Sequence, residues 1–241
     1  MGIGHHHRNS KGIRGIFYLF DFDGTLSPIV KDPDRASFPR TAKKLLRSLA
    51  HDKFSKVAVV TGRAYSDIFR RVGFTNIYYA ANHGLEIYKG RKKLLIKGAR
   101  FEKKIGSILK IVKAAVYRIK GVIIQEKGLS LSIHFRMVAK NKRSELIKRV
   151  TAATKKPLKK AGLNMHGGKM VLEIRPMALW NKGDASLWLC RKFGKGYLPF
   201  YIGDDTTDED AFKVIKKIGI AARVRYKKGT HASHILKAPL Y

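Results

Sequence analysis

The stretch Gly15–Thr25, GIFYLFDFDGT, decides how the rest of this 241-residue chain is read. Its first half, Gly15–Phe20, has no charged residue and carries three aromatic rings, the pattern of a strand buried on both faces. The run stops at Asp21 and Asp23. Residues two apart on an extended chain share a side and stand about 6–7 Å apart, so both carboxylates face the same way. Gly24 allows a sharp turn directly after them. Open α/β sheets bind ligands just beyond the carboxyl ends of their strands. An acid pair there can divide a phosphoryl transfer, one carboxylate attacking phosphorus and the other handling the leaving group's proton. The plainer alternative is an ordinary Asp-Gly turn.

Downstream of this stretch, Phe38, Ala42, Leu45, Leu46 and Leu49 recur at helical spacing. Lys56–Val60 reads as a second buried strand, and a helix through Ile68, Phe69 and Val72 follows Gly62. Asn76–Ala80 reads as a third strand, and Leu85–Tyr88 with Leu94–Lys97 as a hairpin turning at Lys89-Gly90. Alternating strand and helix predicts a parallel sheet covered on both faces. From about residue 99 the pattern changes. A helical stripe runs from Phe101 to Val116, and a hairpin pairs Val122–Gln125 with Leu129–Phe135. Leu146, Ile147 and Val150 mark another helix, and Leu163–His166 pairs with Met170–Ile174 around Gly167-Gly168. After Pro176 the alternation resumes, with a helix over Lys182–Phe193, a strand over Leu198–Ile202 and a helix after Thr206. The expected architecture is α/β: a Rossmann-like parallel-sheet core domain, 1–98 and 179–241, interrupted by an inserted α+β domain at 99–178.

Composition narrows the function. Lys and Arg number 51 against 17 Asp and Glu, a formal net charge of +34, beside 44% hydrophobic residues. That apolar content argues against disorder, and the apolar runs are too short to span a bilayer, so no membrane partner is expected. The single cysteine, Cys190, and an N-terminus without an apolar signal segment suit a cytoplasmic protein. His5–His7 reads either as a metal tract or as a fusion remnant. So much positive charge suits a polyanion. The basic pairs are scattered, however, with no zinc-finger spacing and no ribonucleoprotein signature, so nucleic acid is not expected as the primary partner. A phosphate-ester substrate would gain on-rate from the same field. The acids tell more because they are scarce. Five of the 17 fall within Gly203–Asp210, a candidate cation site.

Three further segments bear on the same chemistry. Thr61-Gly62-Arg63 follows the second strand and offers a hydroxyl and a backbone N–H to a phosphate oxygen, or else a simple N-cap. Asn181-Lys182-Gly183 places an ammonium at a helix start, although a surface lysine is the default in so basic a chain. Gly203-Asp204-Asp205-x-x-Asp208 supplies hard oxygen ligands for Mg²⁺, or an acidic first helical turn. Each plain alternative is credible alone. Their joint order, each beyond a strand or at a helix start, argues for one site.

The four segments resemble the signature motifs of the haloacid-dehalogenase superfamily of phosphotransferases. More narrowly, Asp21–Val30 (DFDGTLSPIV), Asn82–Ile87 (NHGLEI), Leu172–Pro176 (LEIRP) with Asn181–Gly183, and Tyr201–Phe212 (YIGDDTTDEDAF) are similar to the trehalose-6-phosphate phosphatases. The resemblance implies a Mg²⁺-dependent phosphomonoesterase acting on a phosphorylated sugar. Asp21 would be the nucleophile and Asp23 the acid, then the base. Mg²⁺ would be held by Asp21, Asp204 and the carbonyl of Asp23, with Asp205 and Asp208 supporting its waters. Thr61 and Lys182, with Gly62 and Arg63, would meet the phosphoryl group. Asp23 must begin protonated, which calls for partial burial among carboxylates.

The insert would be a cap over the sugar, binding it through Lys127, His134, Arg136 and Glu173. One departure stands out. The resemblance leads us to expect an acid two residues before Lys127, where this chain has Gln125, with Glu126 on the opposite face of the strand. Two readings therefore compete with trehalose 6-phosphate hydrolysis: a related sugar phosphatase acting, for example, on sucrose phosphate, and a basic non-catalytic binding protein on the same scaffold.

Overall fold

The computed structural model describes residues 12–177 and 180–241, so His5–His7 and the second expected domain junction, at 178–179, lie outside the described residues. The chain runs β1 (Gly15–Phe20), α1 (Arg40–His51), β2 (Ser55–Val60), α2 (Tyr65–Val72), β3 (Tyr78–Ala81), β4 (Glu86–Lys89) and β5 (Lys92–Ile96). It continues through α3 (Glu102–Val116), β6 (Ile123–Glu126), β7 (Leu131–His134), α4 (Lys140–Ala161), β8 (Leu163–Gly168) and β9 (Val171–Pro176). It closes with α5 (Lys182–Phe193), β10 (Tyr197–Gly203), α6 (Glu209–Ile215), β11 (Ile220–Val224) and β12 (His234–Leu236).

Eight strands form one sheet in the order β12-β11-β10-β1-β2-β3-β4-β5, parallel from β12 to β3, with the β4–β5 hairpin added antiparallel. The uninterrupted apolarity of β1 follows from its central place. Phe17 and Leu19 pack beneath α5 and α6 with Leu189 and Phe212, while Phe20 faces Leu46 and Ile68 of α1 and α2 on the other side. Strand β1 pairs with β2 on one side and β10 on the other, so Phe20 lies level with Val59 and Ile202. Three carboxyl ends therefore finish together at the point where the strand order reverses, the usual ligand crevice of such sheets.

The second sheet, β6-β7-β9-β8, is antiparallel throughout. Its alternating strands bury Leu131, Ile133, Leu172 and Ile174 against Ile105, Val112, Leu146 and Val150 of α3 and α4. The opposite face is polar, and register places Gln125, Ser132, Glu173 and His166 in one lateral row across it.

Two expectations need correction. The β8–β9 hairpin does not turn at Gly167-Gly168. Strand β8 runs on to Gly168, which pairs with Val171, and the chain reverses over Lys169 and Met170, with Met170 at φ 64°. A Cβ on Gly168 would stand 2.8 Å from Val171, so that glycine serves close approach within the strand. The parallel sheet also extends beyond the expected last strand through β11 and β12.

Candidate active site

Every site residue expected from the sequence except Asp208 lines one cavity of about 480 Å³ between the ends of the large sheet and the polar face of the small one. At its floor, Lys182 Nζ donates to Asp21 Oδ1 at 2.7 Å and to Asp208 Oδ1 at 2.8 Å, with all three side chains buried. Lys182 is the first residue of α5, and a reciprocal capping box between Asn181 and Asp184 fixes that helix start. Burial and the Asp208 carboxylate push Asp21 well above the usual carboxylate range, outweighing Lys182. Burial, again with Asp208, pushes Asp204 up to about 7. Burial opposes the charge on Lys182, yet Asp208 and Asp21 hold its ammonium protonated well above its ordinary value.

One oxygen from each of Asp21, Asp204 and Asp208 lies within 4.8 Å of the others. Asp204 Oδ1 is buried with no hydrogen-bond partner. Three carboxylates around a single ammonium, one with an orphaned oxygen, fit a hard divalent cation. Asp21 and Asp204 are the side chains free to hold it. Asp208 is engaged: its Oδ1 accepts from Lys182 and from the Tyr201 hydroxyl at 2.7 Å, and its Oδ2 accepts from the amides of Asp204 and Asp205 at 3.0 and 2.9 Å. It braces the acidic loop. Arg223 braces the same loop from β11, donating to the carbonyls of Asp204 and Asp205 and to Glu209. Asp205 is turned to Thr206. Gly24 is required here. It sits at φ 91°, and a Cβ on it would stand 2.2 Å from Asp204 Oδ2.

Asp23 departs from expectation. Its carboxylate does not lie among other carboxylates but is gripped by Arg63, with Nε donating at 2.8 Å and Nη2 at 2.7 Å. Arg63 also reaches Asp67 at 2.6 Å and the carbonyl of Pro33 at 3.2 Å. Alternation carries through this stretch, with Phe20 and Phe22 in one core and Asp21 and Asp23 both lining the cavity, and Asp23 begins a tight loop bridged to Ser27. Thr61 is buried next to this loop, its Oγ1 accepting from the Arg63 amide at 3.2 Å.

The roof of the cavity is tied to its floor by polar contacts. Lys127 Nζ donates to the Gly62 carbonyl at 2.8 Å and to Glu173 Oε1 at 3.1 Å, and Ser132 donates to the same oxygen at 3.1 Å. His83 Nε2 lies 2.7 Å from Glu173 Oε2. Burial opposes charge on Glu173, but His83 and Lys127 overcome it and hold the carboxylate well below its usual range. Asn82 donates from Nδ2 to the Lys127 carbonyl at 2.7 Å and accepts from Ser130. Higher on the wall, His134 Nε2 is 3.0 Å from Gln125 Oε1, and burial, then the charge of Lys127, brings that imidazole down to about 4. Arg136 donates to the Lys169 carbonyl at 3.2 Å. Gln125 lines the cavity, whereas Glu126 is exposed and does not, as strand alternation requires.

Sequence reasoning assigned no role to Asn82, His83, Tyr201 or Arg223. Asn82 and His83 both sit in the left-handed region, at φ 53° and 58°, a costly conformation for side chains larger than glycine and one that marks functional loops. Both lie in the Asn82–Ile87 segment that carries the family resemblance and in a turn-prone Asn-His-Gly, but neither signal named a role for them.

A trehalose-phosphatase family model matches residues 19–239. Among relatives, a probable trehalose-phosphate phosphatase E of Arabidopsis thaliana is 37% identical over 247 residues, covering 95% of this chain and 68% of its own length. Another from that plant, a probable trehalose-phosphate phosphatase H, is 34% identical over 95% of this chain and 70% of its own. Among solved structures, the C-terminal domain of the Candida albicans trehalose-6-phosphate phosphatase superposes with a TM-score of 0.80 at 23% identity, covering 92% of this chain and 88% of that one. A trehalose-6-phosphate phosphatase related protein gives 0.77 at 25% identity, with 91% of each chain covered.

Proposed function

The chain belongs to the trehalose-phosphatase family, and from that premise we propose that it hydrolyses trehalose 6-phosphate to trehalose and phosphate, using Mg²⁺. The observation that carries this reading is the meeting of Asp21, Asp204 and Lys182 at the carboxyl ends of β1 and β10, beneath a polar roof wide enough for a sugar.

With Lys182 holding Oδ1, Asp21 attacks phosphorus through Oδ2, and the bond from phosphorus to the sugar oxygen breaks. Asp23 gives its proton to the departing oxygen, leaving an aspartyl-phosphate, and then takes a proton from the water that hydrolyses it. For this, Asp23 must exchange its Arg63 contact for the sugar oxygen, since both of its carboxylate oxygens accept from that guanidinium. Thr61 and the amides near Gly62 take the phosphoryl oxygens, and Lys182 neutralises one of them. Asp21, Asp204 and the Asp23 carbonyl would hold the cation, with Asp205 and Asp208 ordering its surroundings; bound there, it supplies the positive charge that lets one anion attack another.

Residues 99–178 act as the cap, with Lys127, His134, Arg136 and Glu173 facing the sugar. Lys31, Lys169, Arg175 and Lys227 also line the cavity, a field that draws in a phosphate dianion. The test is phosphate release from trehalose 6-phosphate, sucrose 6-phosphate and glucose 6-phosphate, with and without Mg²⁺. Trehalose 6-phosphate should be cleaved fastest and only with the metal, and Asp21→Asn should lower the rate by about 10⁴-fold or more. Equal release by the wild type and Asp21→Asn would reject the nucleophile. Preference for another sugar would replace the substrate and leave the chemistry standing.

A further inference from the structure

Gln125 spans a gap between the two layers. Its Nε2 donates to Asp34 Oδ1 at 2.7 Å, and its Oε1 lies 3.0 Å from His134 Nε2. Asp34 belongs to the short turn Pro33–Arg35 of the large unit, 91 residues away in sequence. That turn is firmly held. The Pro33 carbonyl accepts from both terminal nitrogens of Arg63 at 3.2 Å, and Arg71 donates to the carbonyl of Asp34 at 3.1 Å. The guanidinium that grips Asp23 thus also carries the post on which the cap rests.

The chemistry at position 125 is selective. His134, with its proton on Nε2, presents a donor, and Asp34 presents an acceptor. Only a side chain with an acceptor at one end and a donor at the other satisfies both, which is what an amide is. A glutamate there would set two carboxylates against each other with no proton between them. The acid that resemblance leads one to expect on β6 is therefore absent from the cap, and the carboxylate stands across the gap on the core turn.

We propose that Gln125 and Asp34 form a matched docking pair that seats strand β6 of the cap on the Pro33–Arg35 turn, making both of them positioning residues for the phosphatase. The proposal rests on the cap-and-core reading of the enzyme. It carries a charge rule: one neutral amide and one carboxylate dock, two carboxylates repel, and restoring one amide on either side restores docking.

The test is a double-mutant cycle on the full chain with Gln125→Glu, Asp34→Asn and the double variant. Two readouts are taken: steady-state kinetics on trehalose 6-phosphate with Mg²⁺, and amide hydrogen exchange over 123–126 and at Asp34 and Arg35. Gln125→Glu should raise KM about three- to tenfold, with little change in kcat, and speed exchange in both segments. Asp34→Asn keeps an acceptor and should cost less. The double variant should recover most of both losses, because the amide introduced at position 34 can donate to the carboxylate introduced at position 125. Failure of Asp34→Asn to rescue Gln125→Glu in the exchange experiment would overturn the pair, as would unchanged exchange in Gln125→Glu. If exchange shows the rescue but the wild type releases no phosphate from trehalose 6-phosphate, the docking pair stands and the substrate assignment falls.

Discussion

Two ionic clusters lie in this molecule within reach of one cavity, and they are built to opposite rules. On the floor, Asp21, Asp204 and Asp208 crowd around one ammonium, Lys182. On the seam between the layers, a single carboxylate, Glu173, is shared by Lys127, His83 and Ser132. The first cluster has too much negative charge, and burial with mutual repulsion lifts Asp21 and Asp204. The second has donors to spare, and its carboxylate is held low. The floor calls for one more cation, while the seam has more nitrogen groups than its one carboxylate can pair, both ring nitrogens of buried His83 being without a hydrogen bond among the described residues. Burial is common to both and so cannot explain the difference. The ratio of anions to cations does.

Removing Lys182 tests the floor most severely. Lys182→Met leaves two buried carboxylates and a half-buried third without their counter-charge and should destabilise the protein by about 3–5 kcal/mol in urea unfolding at neutral pH. The loss should shrink at pH 5, where lifted carboxylates can take protons, and shrink again with Mg²⁺. A loss indifferent to both would mean that the cluster is not anion-rich. The seam should respond differently. Glu173→Gln removes the one anion there, so KM for the sugar phosphate should rise about tenfold while kcat falls less. An equal fall in kcat would put Glu173 in the reacting machinery.

The smallest expected effect is on pH dependence. Asp204 moves from an ordinary 3.8 to about 7 on folding, so the metal-free folded chain binds more protons than the unfolded one between those values. Its stability contribution from this group falls as pH rises from about 4 to about 7. A divalent cation needs the ionised form, so the rise in Tm on adding Mg²⁺ should grow over the same range and level off above it. Glu173 has the opposite sign. Its contribution is full above the ordinary value of 4.5 and is lost as pH falls through its lowered folded value. A Mg²⁺ effect larger at pH 5 than at pH 8 would contradict the assignment.

The sequence made the floor legible and the seam much less so. Asp21, Thr61, Lys182 and Asp204 each stand at the end of an apolar run or the start of an amphipathic helix, where local pattern is enough to place them. The eight-stranded sheet was incomplete in that reading because Ile220–Val224 follows α6 closely and carries Arg223, whose charge interrupts the apolar run. Arg223 is tolerated there because its partners include two main-chain carbonyls, which no side-chain pattern displays. His83 and Asn82 depend on a left-handed backbone, and the Gln125–Asp34 contact on two segments far apart in sequence. The strand period placed Asp23 on the same cavity as Asp21, but its Arg63 partner lies 40 residues on and no local pattern displays it.

The capping box at Asn181 and Asp184 has a consequence for how this architecture can change. The chain returns from the insert immediately upstream of Lys182, yet among the described residues that lysine's helix start is capped by Asn181 and Asp184 of its own segment. A foreign segment grafted between the ends of β5 and α5 would leave the ammonium in register with Asp21. The contacts that would have to be rebuilt lie elsewhere, where Lys127 meets the Gly62 carbonyl and Gln125 meets Asp34.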